Sequence, residues 1–555
     1  MDAVQEFVSG RKKWETIVDE LLDSSHYGER WARHWLDVAR YSDGLGGFLD
    51  SGDLPEAWRY RDWVVAALNQ DLPYNEFVRQ QIAGDLMNDP GQMAAGTGFF
   101  AVGPTYRSDG GDPEAQAQAL AETLSDRVDT LSRAFLGLTV ACARCHDHKF
   151  DPITARDYYA LAGVFKNTSL REYPLASADE VKLYSDRQKA IKEQDAKIKK
   201  LSQEAKKAGR ELTDEELSDF KKWKTELAEL KKTAPAKYPF LHALGEAGSI
   251  DMHLAIRGDL RKPGEVVPRR FLEIIKGSEG QPFEKGSGRS ELSEAMVDSA
   301  NPLTARVFVN RVWQWHFGSG LVRTPSNFGT LGEKPTHPEL LDWLAATFVE
   351  NGWSIKKLHR LIMTSATYQM GSTYSESNFQ RDGDNRLLWR MEPRRLEVEV
   401  WRDCLLAVSG RLNRSLGGRP DGEILDSQRR TLYATISRNG DRFRSDEFLR
   451  TFDFPAARST SAARSDSTVP QQYLFMLNSR FMSDCASALA EKLEQAGRSP
   501  NARIKLAYQT VFQRLPDEFE SKTALGFLSQ GGGSRELLVQ FARSLLSFEE
   551  FRYAE

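Results

Sequence analysis

The apolar side chains in the first part of the chain recur three and four residues apart, as they do on one face of a helix. Ile17 and Leu21, and then Trp31 and Trp35, keep this spacing on either side of a turn. The same period continues through "AWRYRDWVVAALNQ" and "LAETLSDRVDTLSRAFLGLTVACARCHDH", and it predicts that the cysteines of the latter lie at the end of a long helix. The alternation that indicates a strand does not occur here. The pattern therefore predicts a helical domain over residues 1–175.

Lysine and glutamate dominate the next segment, residues 176–234. Phe220, Trp223 and Leu227 follow helical spacing there, and a break at Gly209 divides the segment into two halves. The small apolar seam and the high charge are typical of a solvated antiparallel pair of helices. We expect a projecting coiled-coil hairpin.

Proline, glycine and β-branched residues become more frequent over residues 235–300, which predicts a connector with a few short strands. Helical patterns then resume in "NPLTARVFVNRVWQWHF", "HPELLDWLAATFVENG" and "ELLVQFARSLLSFEEF". Residues 301–555 are therefore expected to form a second helical domain. The predicted fold class is mainly α, with two helical bodies joined by the connector.

Composition excludes some classes of function. The 555 residues carry a formal net charge of -4, so no overall basic field favours nucleic acid. No run approaches the roughly 18 apolar residues that a transmembrane helix needs. The opening "MDAVQEFVSGRKKWE" also lacks the apolar core of a signal peptide. We expect neither a nucleic-acid partner nor a transmembrane segment.

The stretch "VACARCHDHKFDP" at residues 140–152 is the strongest chemical motif. Cys142, Cys145 and His146 match the C-x-x-C-H pattern of c-type haem attachment, in which both thiols bind the porphyrin and the histidine binds iron. His148 is too close in sequence to supply the ligand on the opposite face of the haem. A haem here would make the protein an electron-transfer or redox protein with a redox partner.

Two other interpretations of this motif remain open. His146, Asp147, His148 and Asp151 are suitable ligands for a divalent metal ion, which would support hydrolysis or elimination. Alternatively, the two cysteines form a local disulfide and the polar side chains only hold a loop.

A catalytic centre built on the metal-ion interpretation would use His148 and Asp147 as acid and base groups. Asp43 or Asp126 would complete it. Because haem attachment needs only the residues up to His146, the polar residues that follow suggest a separate role. We therefore predict that His148→Ala impairs function.

Candidate substrate-binding residues lie on two predicted helices. His34 and Asp37 are three residues apart and could line a cleft. Arg59 and Arg61 stand among aromatic residues in "WRYRDW", a combination suited to holding a sulfate, a carboxylate or a haem propionate. For both pairs, ion pairing on a helix surface is the alternative.

Long segments of the chain resemble a family found in planctomycetes, in which a cytochrome-c-like domain of unknown function precedes a C-terminal companion domain. The segments are "HYGERWARHWLDVARYSD", "DRVDTLSRAFLGLTVACARCHDHKFDPITARDYYALAGVF", "NPLTARVFVNRVWQWHFGSGLVRTPSNFG" and "THPELLDWLAATFVENGWSIKKLHRLIMTSATYQ". Members are typically exported and occur beside sulfatases and polysaccharide-degrading systems. The resemblance thus implies a periplasmic or extracellular location and a role around complex glycans.

These observations favour an exported protein that carries haem c or a metal ion and acts in redox chemistry or electron transfer during polysaccharide processing. A metal-dependent polysaccharide hydrolase or lyase is the first alternative. A glycan-binding or scaffold protein without catalytic activity is the second.

Overall fold

Helices dominate the computed structural model, which describes residues 2–48, 52–88, 91–108, 110–277, 280–496, 499–530 and 534–554. The predicted mainly α fold is therefore confirmed. The helices are α1 Asp2–Val8, α2 Trp14–Asp23, α3 Tyr27–Val38, α4 Trp58–Asn69, α5 Tyr74–Ala83, α6 Gly98–Ala101, α7 Pro113–Leu131, α8 Ala155–Lys166, α9 Ala178–Lys207, α10 Asp214–Lys232, α11 Glu273–Lys276, α12 Arg289–Val297, α13 Leu303–Phe317, α14 Pro338–Glu350, α15 Ile355–Met363, α16 Glu376–Phe379, α17 Val398–Val408, α18 Arg444–Thr451, α19 Pro470–Asn478, α20 Arg480–Ala496, α21 Pro500–Val511, α22 Glu518–Ser529 and α23 Arg535–Leu546.

Short antiparallel sheets accompany the helices, as expected for the connector. The strands are β1 Thr168–Pro174, β2 Phe240–Glu246, β3 Met252–Ala255, β4 Pro263–Val267, β5 Arg394–Arg395 and β6 Tyr553–Ala554. They pair as β1 with β2, β3 with β4, and β5 with β6. Strands β2, β3 and β4 lie in the predicted connector, whereas β1 begins inside the residues predicted to be helical and was not predicted. The β5–β6 pair, in which Arg394 lies opposite Ala554, was not predicted either, because two residues give no periodic signal.

The helix before the cysteine motif ends earlier than its apolar pattern predicts. Helix α7 continues as a π-turn over Ser132–Leu136 and stops at Gly137, where φ is +60°. A Cβ at this glycine would lie 2.8 Å from Cδ2 of Phe328. Only glycine tolerates both the positive φ and the close approach of Phe328, and the chain leaves the helix at this residue. The cysteine motif consequently lies on a separate 3₁₀ turn, Val140–Arg144.

Residues 171–242 form a compact unit of their own that contains α9 and α10. Helix α10 begins with a capping box, in which Thr213 and Glu216 satisfy each other's backbone N–H groups. Gln194 on α9 donates a 2.8 Å hydrogen bond to the carboxylate of Glu226 on α10. The predicted helical hairpin is confirmed.

Residues 1–170 and 243–555 form the second compact unit, which contains two hydrophobic clusters. The first cluster joins Trp35 on α3 with Phe308 and Val312 on α13. The second cluster lies further along the chain, around Trp401 on α17 and Leu489 on α20. Helices α3 and α13, although about 270 residues apart, therefore share one core. In the described ranges, no helix has the length and apolar character required to cross a membrane.

Candidate functional site

The cysteine motif is at the protein surface. Cys142 and Cys145 are exposed free thiols, and His146 is also exposed. Gly258 passes so close to Cys145 that a Cβ on it would lie 2.7 Å from the sulfur. Nδ1 of His146 lies 2.7 Å from the backbone oxygen of Asp147 and donates to it, so the ring's other nitrogen is left without a partner among the described residues.

His148 holds the loop that follows the motif. Its Nδ1 accepts a 2.9 Å hydrogen bond from the backbone N–H of Asp151, and its Nε2 lies 3.1 Å from the hydroxyl of Thr139. An imidazole that accepts at Nδ1 carries its proton at Nε2, which then donates to the threonine. The side chain is only 8% exposed. Both ring nitrogens are thus occupied by bonds within the fold.

The two carboxylates of the motif also make structural bonds. Asp147 accepts a 2.8 Å bond from the backbone N–H of Ala155, the first residue of α8. Asp151 accepts a 2.6 Å bond from the N–H of Thr330. Throughout the part of the chain that the structure describes, no group of three or more His, Cys, Asp or Glu side chains is arranged to hold a metal ion. Asp147, His148 and Asp151 thus hold the loop by bonds within the fold, with Nδ1 of His148 3.5 Å from the Asp151 carboxylate, and metal binding by these residues and His146 stays a prediction.

The predicted catalytic carboxylates have other partners. Asp43 accepts bonds from the backbone N–H of Ile436 at 2.9 Å and the Tyr41 hydroxyl at 2.8 Å. Asp126 makes a two-point ion pair with Arg40 at 2.9 and 2.6 Å. Neither carboxylate bonds to the histidine or the aspartate of the motif. Their bonds hold the surrounding fold, and a catalytic role for Asp43 or Asp126 with His148 and Asp147 stays a prediction.

The arginines predicted to bind substrate form local ion pairs. Arg61 is fully buried, donates to Asp62 at 2.9 and 3.0 Å, and lies 4.7 Å from the centre of the Tyr433 ring. Arg59 donates to Glu56 at 2.6 Å. Both side chains form ion pairs, as the alternative stated above expects, but that of Arg61 lies in the protein interior and not on a helix surface.

His34 and Asp37, in contrast, line a cavity of about 430 Å³. Its walls come from α3, α13, β5, the start of α17 and the loop at residues 452–466. This volume falls in the ~300–1,000 Å³ range typical of small-molecule sites. The candidate functional site is this cavity, and two of the predicted binding residues belong to it.

A buried ion-pair network holds one wall of the cavity. Arg464, from the 452–466 loop, donates to Asp37 at 2.7 Å and to both oxygens of Glu399 at 2.6 and 2.7 Å. Arg33 also donates to Asp37, at 2.8 Å. Burial works against the charge of Arg464, but the aspartate and the glutamate outweigh it and raise its pKa well above the usual value. The two arginines and two carboxylates neutralise one another.

A second ion pair joins α3 to α17. Arg30 donates to Glu397 at 2.8 Å, and the other oxygen of this carboxylate lies 3.7 Å from Nδ1 of His34. Burial disfavours the charged form of Glu397. This effect is outweighed by positive charge on His34 when it is protonated, on Arg30 and on Arg464. These charges hold the pKa of Glu397 well below its usual range. Glu397 is therefore a carboxylate at neutral pH.

Two arginines of the cavity wall have no carboxylate partner among the described residues. Arg311 is buried and donates to the backbone oxygen of Arg133 at 2.9 Å and to Ser326 at 3.0 Å. Burial lowers its pKa to about 10. Arg394 donates to the backbone oxygen of Trp315 at 3.0 Å, and burial lowers its pKa too. Neither guanidinium thus has a carboxylate within ion-pair distance in the described ranges, and Glu397 acts on Arg394 only from further away.

Three buried polar atoms at the cavity lack a hydrogen-bond partner in the described residues: Nε2 of His34, Nε of Arg311 and Oε1 of Gln314. Each such atom costs about 1–3 kcal/mol if nothing binds it. The Trp315 ring stacks on the His34 ring, with centroids 4.9 Å apart and planes at 12°. The cavity therefore offers a donor, two acceptors and an aromatic ring to a polar ligand.

Sequence reasoning found only part of this site. The aromatic run "VNRVWQWHF" on α13 contains Trp313 and Trp315, and a tryptophan can stack on a sugar or pack in a core. Trp313 lies in the core, whereas Trp315 is partly exposed and lines the cavity. Arg394, Glu397 and Arg464 were missed, because their approach to α3 across more than 350 residues leaves no local signal.

Comparison with protein families matches both ends of the cavity-forming unit. Residues 1–170 match PSCyt2, a protein of unknown function (DUF1549), and residues 288–528 match PSD1, a protein of unknown function (DUF1553). Neither match shows a cytochrome-c-like motif as such. Comparisons with curated proteins and with solved structures give no match. The cavity is lined by residues from both matched segments, and the chain thus contains two domains of unknown function, PSCyt2 followed by PSD1.

Proposed function

We propose that the protein binds an anionic carbohydrate, carrying a carboxylate or sulfate group, in the cavity between its two family domains. The observation that carries the proposal is the pair Arg311 and Arg394, which line the cavity without a carboxylate partner among the described residues. Every acidic side chain of the same wall has an arginine within ion-pair distance.

Electrostatics favours an anion at this position. A buried charge is costly unless it is paired, and a planar guanidinium binds carboxylate or sulfate oxygens through two parallel hydrogen bonds. The free Nε of Arg311 is one such donor. An anionic ligand would therefore relieve the burial penalty that the fold leaves at this arginine and at Arg394.

The carbohydrate part of the proposal rests on different support. Trp315 is partly exposed in the cavity, and an aromatic ring with one accessible edge or face suits the apolar face of a sugar. Nε2 of His34 and Oε1 of Gln314 are acceptors for hydroxyl groups. The family resemblance to proteins that occur beside polysaccharide-degrading systems points to the same class of ligand and to a location outside the cytoplasm.

Titration calorimetry with sulfated, carboxylated and neutral oligosaccharides tests this function. We expect binding of one charged class, weakened at least tenfold by Arg394→Gln, which corresponds to about 1.4 kcal/mol. Arg306→Gln is the matched control, because Arg306 lies on α13 but pairs with Asp342 at the exposed surface. Equal affinity for charged and neutral sugars, or no binding of either, would contradict the proposal.

A second candidate function, covalent haem attachment, is favoured by the exposure of the motif. Cys142 and Cys145 are free thiols, and His146 has one ring nitrogen without a partner, so these residues fit the thioether and axial-ligand roles. Haem bound here would supply one-electron redox chemistry and would require a redox partner.

Expression together with a haem maturation system tests this second candidate. A covalent haem spectrum that is lost in Cys142→Ser is the expected result. A colourless protein in which both thiols of the motif react with a thiol reagent would rule it out.

A further inference from the structure

The cavity contains a histidine with an unused nitrogen. His34 is 5% exposed, and its Nε2 has no hydrogen-bond partner in the described part of the chain. The ring stacks on Trp315, with centroids 4.9 Å apart, and also contacts Trp31, whose centroid is 5.5 Å away. These contacts fix the plane of the imidazole and leave the nitrogens at its edge for polar contacts.

The charged groups around His34 set its protonation state. Burial lowers its pKa well below the usual value. Glu397 opposes this shift, while Arg30, Arg464 and Arg33 add to it. The ring is therefore neutral at neutral pH. Because Nδ1 faces the Glu397 carboxylate at 3.7 Å, the ring proton is favoured on Nδ1 and the lone pair on Nε2.

A neutral base and unpaired cations in one cavity suit the removal of a proton from a carbon next to a carboxylate. Removing the proton on the carbon next to a carboxylate puts negative charge onto that carboxylate, and a nearby guanidinium stabilises it. Arg311 and Arg394 are such cations, and His34 is such a base. A sulfate ester does not acidify a neighbouring C–H bond in this way, so the combination favours a carboxylate-bearing sugar.

We propose that the cavity cleaves uronate-containing polysaccharides by β-elimination, with His34 as the catalytic base. Nε2 of His34 takes the proton from C5 of the uronate. The electrons of that C–H bond form the C4=C5 double bond, the bond from C4 to the glycosidic oxygen breaks, and the departing oxygen receives a proton from the imidazolium. The inference rests on the proposed function and narrows its ligand to uronates.

The roles of the other groups follow from their contacts. Arg311 and Arg394 bind the uronate carboxylate and stabilise the charge that develops on it. Glu397 is a positioning residue, because it faces Nδ1 of His34 and favours the tautomer with a free Nε2. No oxidant or reductant enters the reaction.

Incubation of the intact protein with polygalacturonate and with alginate tests the inference. The ultraviolet absorbance of the conjugated double bond reports elimination, and calorimetry with the same polymers reports binding. We expect unsaturated product from one of them. His34→Gln should lower kcat by about 10²–10⁴-fold while binding changes only a few-fold. His253→Gln, at an exposed histidine on β3, is the matched control.

The outcomes separate the two proposals. Binding of a uronate polymer without unsaturated product overturns the elimination chemistry and leaves the binding function in place. Absence of uronate binding overturns the elimination chemistry, and it overturns the binding function as well only if the sulfated oligosaccharides also fail to bind. Product formation that survives in a folded His34→Gln variant removes the histidine from the mechanism. The wild-type assay decides the reaction class even if that variant fails to fold.

Discussion

Replacement of His148 separates a structural role from a metal-binding role. In His148→Ala, the backbone N–H of Asp151 loses its acceptor and the Thr139 hydroxyl loses its donor. A buried group left without its partner costs about 1–3 kcal/mol. His148→Asn keeps an acceptor close to the position of Nδ1, as an Asx turn does, and should recover part of this loss.

The expected change in melting temperature follows from the size of the unit. About 480 residues unfold with residues 1–170 and 243–555, and an unfolding entropy of roughly 2.1 cal/mol/K per residue gives about 1 kcal/mol/K. His148→Ala should therefore lower Tm by about 1–3 °C, and His148→Asn by less. Differential scanning calorimetry of the three proteins measures both values.

Metal analysis completes this test. If His148 only holds the loop, metal content is the same in the wild type and both variants. A metal ligand at this position would instead make both variants lose about 10- to 100-fold in metal affinity, since asparagine does not replace imidazole. Loss of bound metal in both variants, with equal Tm values, would refute the structural account.

Three further changes probe the rest of the unit. Arg464→Met leaves the buried Glu399 carboxylate short of a partner and should cost about 3–5 kcal/mol in urea unfolding, with partial recovery when Glu399→Gln is added. Gly137→Ala should cost about 1–3 kcal/mol in the same assay, more than Gly410→Ala, because both have positive φ but only the first Cβ meets a neighbour. Burial lowers the pKa of His316 to about 3. Between about pH 6.5 and pH 3, this histidine is therefore protonated in the unfolded chain and neutral in the folded chain. Stability should fall by up to about 1.4 kcal/mol per unit as pH decreases through that window, and His316→Gln should flatten this part of the urea midpoint profile.

The sequence was a good guide where a pattern repeats over many residues. The helical domains, the charged hairpin and the short strands of the connector follow from periodicity and turn chemistry, which act locally. The apolar pattern did not predict the early end of α7. The helix ends at Gly137, where Phe328, distant in sequence, leaves no room for a side chain. A tertiary contact therefore decided where the helix stops.

The candidate site was harder to predict for the same reason. His34 and Asp37 were recognised as polar residues on one helix, but their partners Glu397 and Arg464 come from another part of the chain. The motif at Cys142 attracted attention through its spacing alone. His148, Asp147 and Asp151 beside it make bonds that hold the loop, and residue type alone does not distinguish this role from metal binding.

The charged hairpin has the architecture of an insertion. The backbone N–H of Leu175 donates to the backbone oxygen of Pro239 at 2.8 Å, so the points where the chain enters and leaves the hairpin are neighbours. Both family matches lie outside the hairpin: the first ends at residue 170, before it, and the second begins at residue 288, after it. A turn of a few residues could bridge the two points, because they are already held at strand-pair distance. The hairpin can therefore be shortened or lengthened at this junction without altering the residues that line the cavity.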